Sequence, residues 1–160
     1  MTTSLPHPKE VRDMLSDMLG RDVTVAPCDA FTPNVTDKHA AAVYVDDQGQ
    51  VAVLAALDLP LAAWVGASIG LVPAGGAQDQ VEDGELSQGV RDNLYEVLNI
   101  FSALFNKPGT PHLKIQSMYP PGEAPPLDLG VMLKSLGMRL DLEVTVAGYG
   151  SGKIAVVLAR

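Results

Sequence analysis

Cysteine and basic residues are scarce in this sequence. It has one cysteine, Cys28, among 160 residues, so an intrachain disulfide and a cysteine-based metal cage are both excluded. Lys and Arg together number 11 against 19 Asp and Glu, which gives a formal net charge of −8. A protein that binds a phosphate backbone needs a basic stripe, and anionic lipids repel a negative surface. We therefore expect neither a nucleic-acid partner nor a membrane partner.

The sequence also lacks a long hydrophobic run. The most apolar stretch, residues 58–73, contains Pro60 and Ser68 and falls short of the ~18 uninterrupted apolar residues typical of a transmembrane helix. Residues 1–10 contain no apolar signal-peptide core, so we expect a cytoplasmic protein. The length of 160 residues predicts a single domain spanning residues 1–160. A chain of this size can fold around a core without a metal or a disulfide.

The apolar residues follow patterns that predict an α+β fold. Helical spacing predicts four helices, at about 8–19, 60–71, 85–106 and 128–136. Alternating spacing predicts strands at 23–28, 40–46, 50–58, 112–119, 139–147 and 153–159, with tight turns that pair four of them as two hairpins. Residues 72–84, with Pro73 and three glycines, are predicted to be a flexible connection. The expected architecture is an antiparallel sheet of hairpins with helices packed on it.

Common motifs for cofactor and metal sites are missing from the sequence. No Gly-x-Gly-x-x-Gly joins a strand to a helix, and no phosphate loop ends in Gly-Lys-Ser/Thr. The glycine-rich run 148–153 lies between two predicted strands, so a hairpin turn explains it better than a phosphate site. His7, His39 and His112 have no partners at metal-ligand spacing. We therefore expect neither a metal site nor a cofactor of the protein's own.

The long helix predicted at about 85–106 has two distinct faces. Its apolar stripe consists of Leu94, Val97, Leu98, Phe101, Leu104 and Phe105. At about 100° per residue, the opposite face carries Asp92, Glu96 and Asn99, with Ala103 beneath them. We call Asp92, Glu96 and Asn99 the polar row. Spacing alone favours an ordinary solvated helix face for such a row.

The polar row resembles the signature helix of the CheC, CheX and FliY phosphatases of bacterial chemotaxis. The pattern Asp92-x-x-x-Glu96-x-x-Asn99 occurs once, as in CheX. The order of predicted elements over residues 23–160 also resembles this family, with an apolar helix that begins at a proline, the signature helix, a strand and a closing hairpin. The resemblance implies a CheC/CheX-like fold. It also implies a phosphatase that hydrolyses the aspartyl phosphate of a CheY-like receiver domain in chemotaxis or two-component signalling.

The same resemblance implies roles for individual residues. Asn99 would orient the attacking water and Glu96 would pair with a lysine of the receiver, so these are the candidate catalytic residues. Asp92 and Ala103 are candidate partner-binding residues, with Ala103 near the position where the family often has glycine. The receiver would supply Mg²⁺. A homodimer formed through sheet edges is also implied, with strand 153–158 either an edge or an interior strand.

Two other interpretations fit these residues. The same fold could be a docking module that binds a receiver or a motor protein without catalysis, which the alanine at position 103 and the proline-rich segment 120–126 favour. It could also be a dimeric scaffold whose polar row is merely solvated. Receiver binding and phosphate release, measured separately, distinguish the three interpretations.

Overall fold

The fold is a six-stranded antiparallel sheet with helices on both faces. A computed structural model describes residues 2–34 and 36–159, so residues 1, 35 and 160 of the predicted single domain lie outside the described part. The helices are α1 (Pro8–Leu19), α2 (Leu59–Ile69), α3 (Ala74–Asp83), α4 (Gln88–Phe101) and α5 (Leu127–Leu133). The strands are β1 (Val23–Pro27), β2 (His39–Val45), β3 (Val51–Asp58), β4 (Lys114–Tyr119), β5 (Arg139–Val146) and β6 (Gly150–Leu158). A 3₁₀ turn, Ser102–Leu104, follows α4.

The strand order is β1-β5-β6-β3-β2-β4, and neighbouring strands are antiparallel throughout. The pairs β2–β3 and β5–β6 are the two predicted hairpins, so the α+β sheet of hairpins is confirmed. β6 lies between β5 and β3, so of the two positions left open for strand 153–158 the interior one is confirmed. The edges of the described sheet are β1 and β4.

Two clusters of apolar side chains lie on opposite faces of the sheet. The larger one joins the sheet to α1, α2 and α4 and includes Tyr44, Leu61 and Phe101. The smaller one packs Leu129 and Leu133 of α5 against the other face. This arrangement leaves the outer face of α4 at the surface. Within the described residues, no helix combines the length and apolar composition needed to cross a bilayer.

Most of residues 72–84 belong to helix α3, so the predicted flexible connection is wrong. α3 begins after Pro73 and ends at Gly84, which has a φ of 72° in the left-handed region that favours glycine. Ala77 is fully buried, and α3 packs on α2. This tertiary packing stabilises α3 although Gly75 and Gly76 lower its intrinsic helix propensity.

The bounds of α1 and α4 can be compared with those predicted from the sequence. The first helix matches its predicted bounds, and His7 and Glu10 form a reciprocal capping box at its start. The long helix is shorter than predicted. It begins at Gln88 and ends at Phe101, and the chain tightens into the 3₁₀ turn before reaching residue 106.

Candidate functional site

Helix α4 presents the polar row because its start and its apolar face are fixed. The Ser87 Oγ caps the helix by accepting a hydrogen bond from the Val90 N–H at 3.3 Å. The six residues of the predicted stripe are all buried: Leu94, Val97, Leu98, Phe101, Leu104 and Phe105. The stripe prediction is confirmed, and the opposite face of α4 is directed to the surface.

Close packing on α2 fixes the position of α4. A Cβ added at Gly66 of α2 would lie 2.4 Å from the Val90 carbonyl oxygen, so only glycine permits this approach. The Asn93 Nδ2 donates to the Gly66 carbonyl at 3.1 Å. A Cβ at Gly70 would lie 2.3 Å from the same amide nitrogen. The two glycines therefore form the surface on which α4 and the Asn93 side chain rest.

A buried tyrosine fixes the C-terminal end of α4. The Tyr44 hydroxyl of β2 donates to the Leu98 carbonyl at 2.6 Å, and the tyrosine side chain has no exposed surface. The Ser102 N–H bonds to the Asn99 carbonyl, so the regular α-helical partner of the Leu98 carbonyl is missing. Tyr44 supplies the replacement. The helix is thus tied to the sheet one residue before Asn99.

The polar row is exposed, and its members differ in their surroundings. The Gln88 Nε2 donates to the Asp92 Oδ1 at 2.7 Å, and the Gln88 Oε1 accepts from the Arg91 Nη2 at 2.8 Å. Within the described residues, the side chains of Glu96 and Asn99 make no hydrogen bond or ion pair. A carboxylate and a carboxamide therefore stand one turn apart, about 5–6 Å between their Cβ atoms, with their polar atoms in solvent.

The site is a surface with a shallow cleft beside it. The cleft has a volume of about 290 Å³ and lies between α4 and the segment after β4, where Tyr95, Met118, Pro120 and Glu123 line it. That is at the lower limit for a small-molecule site, so the cleft is better suited to a side chain of a protein partner. Across residues 2–34 and 36–159, no group of three or more His, Cys, Asp and Glu side chains is placed to hold a metal ion.

Ala103 and Asn106 both follow the end of α4 but lie in different surroundings. Ala103 is exposed and lies in the 3₁₀ turn that follows α4, whereas the sequence predicts it within the helix itself. Asn106 lies away from the row. Its amide nitrogen donates to the Leu113 carbonyl and its amide oxygen accepts from the Leu113 N–H, so it fixes the loop before β4.

Sequence reasoning missed the residues that position and flank the row. Gly66 of α2 and Gly70 at its C-terminal cap are four residues apart in an apolar segment, a spacing that indicates a close helix contact. Tyr95 and Ile100 are exposed beside the row, at 38% and 46% of their surface. Both are large apolar residues of α4 that lie outside its apolar stripe, and this position could have identified them from the sequence. Tyr44 gave no signal, because its partner is 54 residues away.

The strand order of the sheet and the position of α4 on it belong to a fold that bacterial chemotaxis and flagellar proteins share. No protein-family model matches the sequence, and no curated protein matches it. A chain of the FliM–SpeE complex from H. pylori superposes with a TM-score of 0.61 and 8% identity, over 94% of this chain and 80% of that one. FliY from Thermotoga maritima superposes with a TM-score of 0.55 and 16% identity, over 95% of this chain and 84% of that one. A chain of the CheX–CheY–BeF3–Mg²⁺ complex from Borrelia burgdorferi superposes with a TM-score of 0.52 and 14% identity, over 92% of each chain.

The CheC/CheX-like fold expected from the polar row is therefore confirmed. At these identities the likeness shows the fold alone. What the row does has to be argued from its own chemistry.

Proposed function

We propose that this protein is a phosphatase for the aspartyl phosphate of a CheY-like receiver domain. The observation that carries the proposal is that Glu96 and Asn99 are exposed, have no hydrogen-bond or ion-pair partner among the described residues, and belong to a helix whose position is fixed by Gly66 and Tyr44. Side chains that must meet a partner need this combination of free polar atoms and a rigid support. The fold supports the proposal because it is also that of FliY and of the CheX–CheY complex.

Asn99 has the chemistry that the hydrolytic step requires. Hydrolysis of an aspartyl phosphate needs a water in line with the bond that breaks, and positioning supplies most of the rate in phosphoryl transfer. A neutral carboxamide suits this task, because its N–H donates to a phosphoryl oxygen while its C=O accepts from the water. Glutamine has the same role in GTPases. A separate general base is unnecessary, since the phosphoryl group itself can accept the proton.

Glu96 is suited to fixing the register of the complex. Its free carboxylate would form a charge-assisted hydrogen bond with a lysine of the receiver, one helical turn from Asn99. Such contacts set register and association rate more than affinity. Asp92 already accepts a hydrogen bond from Gln88, so we assign it to the negative potential that attracts the lysine of the receiver.

The receiver is the source of the metal in this proposal. The CheX–CheY complex contains BeF3 and Mg²⁺ together with the two proteins. Mg²⁺ would be held by the receiver and would neutralise charge on the phosphoryl group, and this chain would contribute Asn99 and Glu96. We retain the cytoplasmic location that the sequence predicts.

A docking module without catalysis is the second candidate. The observation that favours it is the likeness to a chain of the FliM–SpeE complex, whose TM-score exceeds that of the chain from the CheX–CheY complex. In this case Glu96 would contribute to binding, and replacing Asn99 would leave phosphate release unchanged.

Dimerisation is a separate part of the proposal. With β6 in the interior, a dimer through a sheet edge has to use β1 or β4. Light scattering during size exclusion tests this. A mass of twice 16.9 kDa supports the dimer, and a mass near 16.9 kDa rejects it.

The test of the function is phosphate release from a panel of chemically phosphorylated single-domain receivers from the same organism. We expect the wild type to accelerate release from at least one receiver. Asn99→Ala should abolish the acceleration with little loss of binding, and Glu96→Gln should weaken both. Gln78→Ala and Glu82→Gln on the exposed face of α3 are matched controls and should behave as wild type. Binding without acceleration would select the docking module.

A further inference from the structure

Two exposed apolar side chains flank the polar row. Tyr95 and Ile100 belong to α4 and project roughly 70° to either side of the mean direction of the row, at about 100° per residue. They expose 38% and 46% of their surface. Neither belongs to the buried stripe, so the core does not explain why large apolar residues occupy these positions.

Tyr95 lines the shallow cleft beside α4. The cleft of about 290 Å³ has a mixed lining: Tyr95, Met118 and Pro120 form its apolar part, and polar side chains form the rest, those of Gln88, Arg91, Asp92 and Glu123. Apolar and aromatic contacts at the centre of an interface with polar groups at the rim are typical of protein–protein recognition. The cleft is continuous with the row through Asp92, which also lines it.

Charge selects which partner fits this surface. The row contributes two carboxylates, one of them without a partner among the described residues, and the whole chain has a net charge of −8. The complementary surface therefore has a cation opposite Glu96 and apolar groups on both sides of the row. A receiver domain that presents its lysine and phosphoaspartate to Glu96 and Asn99 would necessarily cover Tyr95 and Ile100 as well.

We infer that Tyr95 and Ile100 are the affinity- and specificity-determining contacts for the receiver, while the polar row supplies register and chemistry. This inference rests on the proposed function. The Tyr95 ring would pack on an apolar side chain at one side of the receiver's phosphorylation site, and Ile100 would pack on the other side. Receivers with charged residues at these places would be poor substrates, because their charges would be buried without partners.

The experiment separates binding from turnover. Initial rates of phosphate release would be measured against concentration for the receiver that the wild type dephosphorylates fastest. Tyr95→Ser and Ile100→Ser should each raise KM about tenfold or more, as expected from loss of a buried apolar side chain, with kcat changed less than about twofold. Tyr95→Phe keeps the ring and should retain a KM near that of the wild type.

A matched control uses another exposed apolar residue. Val131 exposes 65% of its surface on α5, which covers the opposite face of the sheet, so Val131→Ser should leave both constants unchanged. Thermal unfolding of each variant verifies that it is folded. Binding of the same receiver with Mg²⁺ and beryllium trifluoride should weaken in parallel with the rise in KM.

The outcomes distinguish this inference from the proposed function. Unchanged KM and unchanged binding in folded Tyr95→Ser and Ile100→Ser overturn the inference while the phosphatase stands. A fall in kcat alone, or an equal effect of Val131→Ser, also overturns it. If the wild type neither binds nor dephosphorylates any receiver, the proposed function fails and the inference fails with it.

Discussion

The Tyr44 hydroxyl joins the sheet to the end of α4, so the Tyr44→Phe variant tests how the site is held. The change removes one oxygen atom and leaves the ring, which packs against Phe105 with centroids 5.3 Å apart. The Leu98 carbonyl would then be buried without its partner. Burial raises the pKa of Tyr44 above its usual value of 10, so the wild-type hydroxyl remains a donor throughout the neutral range.

The cost of this variant follows from the unsatisfied carbonyl. A buried acceptor that loses its donor costs about 1–3 kcal/mol. A domain of this size is typically stable by roughly 5–15 kcal/mol, so the loss is a considerable fraction of the total. With a urea m-value of about 1–3 kcal/mol/M, we expect the unfolding midpoint to fall by about 1 M with no change in m.

Urea unfolding followed by circular dichroism measures this effect. Tyr149→Phe is the control, because the Tyr149 hydroxyl also donates to a backbone carbonyl, that of Val72, but from a half-buried position away from α4. We expect a smaller shift for the control, since water can replace the lost donor. A midpoint shift below about 0.2 M for Tyr44→Phe, or equal shifts in both variants, would refute the reasoning.

Two further predictions concern α2. Burial raises the pKa of Asp58, the N-cap of α2, above its usual 3.8, so its contribution to stability is lost as pH rises through the raised value. The free energy of unfolding of the wild type relative to Asp58→Asn should therefore decrease between pH 3.5 and pH 7, and a constant difference would contradict this. Gly66→Ala should destabilise the protein by about 1–3 kcal/mol, because the new Cβ would meet the Val90 carbonyl. Gly75→Ala on α3, where nothing lies within 4 Å, should cause no loss in the same urea titration, and an equal loss in both would contradict the packing argument.

The polar row could be predicted from the sequence because it depends on one helix alone. The apolar stripe of α4 repeats at helical spacing, and any helix with that stripe in the core directs Glu96 and Asn99 outward. The two hairpins were predictable for the same reason, since each is formed by neighbouring segments and a tight turn.

The position of β6 and the helix α3 depend on contacts between distant segments. Residues Ile154–Leu158 of β6 are buried without interruption, which is typical of an interior strand. The alternation of Ile154, Val156 and Leu158 in the sequence is also compatible with an edge strand, so the sequence alone leaves both positions open. The strand order itself depends on the pairing of β6 with β3, about 100 residues earlier. Local propensity argued against α3, and only its packing on α2 explains it.

The support of the site was the least predictable part. Tyr44 and Leu98 are joined by one hydrogen bond across 54 residues, and nothing in the local pattern around either residue indicates the other. The contact of Gly66 with Val90 likewise depends on how α2 and α4 cross. Sequence patterns therefore identified the polar row without identifying what holds it in place.

The central claim is that the Asn99 amide positions the water that hydrolyses a receiver's aspartyl phosphate. Its most direct test compares phosphate release by the wild type and Asn99→Ala at concentrations that saturate the same phosphorylated receiver. We expect the variant to lose about 100-fold or more of the acceleration. Its affinity for the receiver with Mg²⁺ and beryllium trifluoride should stay within about threefold of wild type, since Asn99 acts on the water rather than on docking. An Asn99→Ala variant that releases phosphate as fast as the wild type would contradict the account.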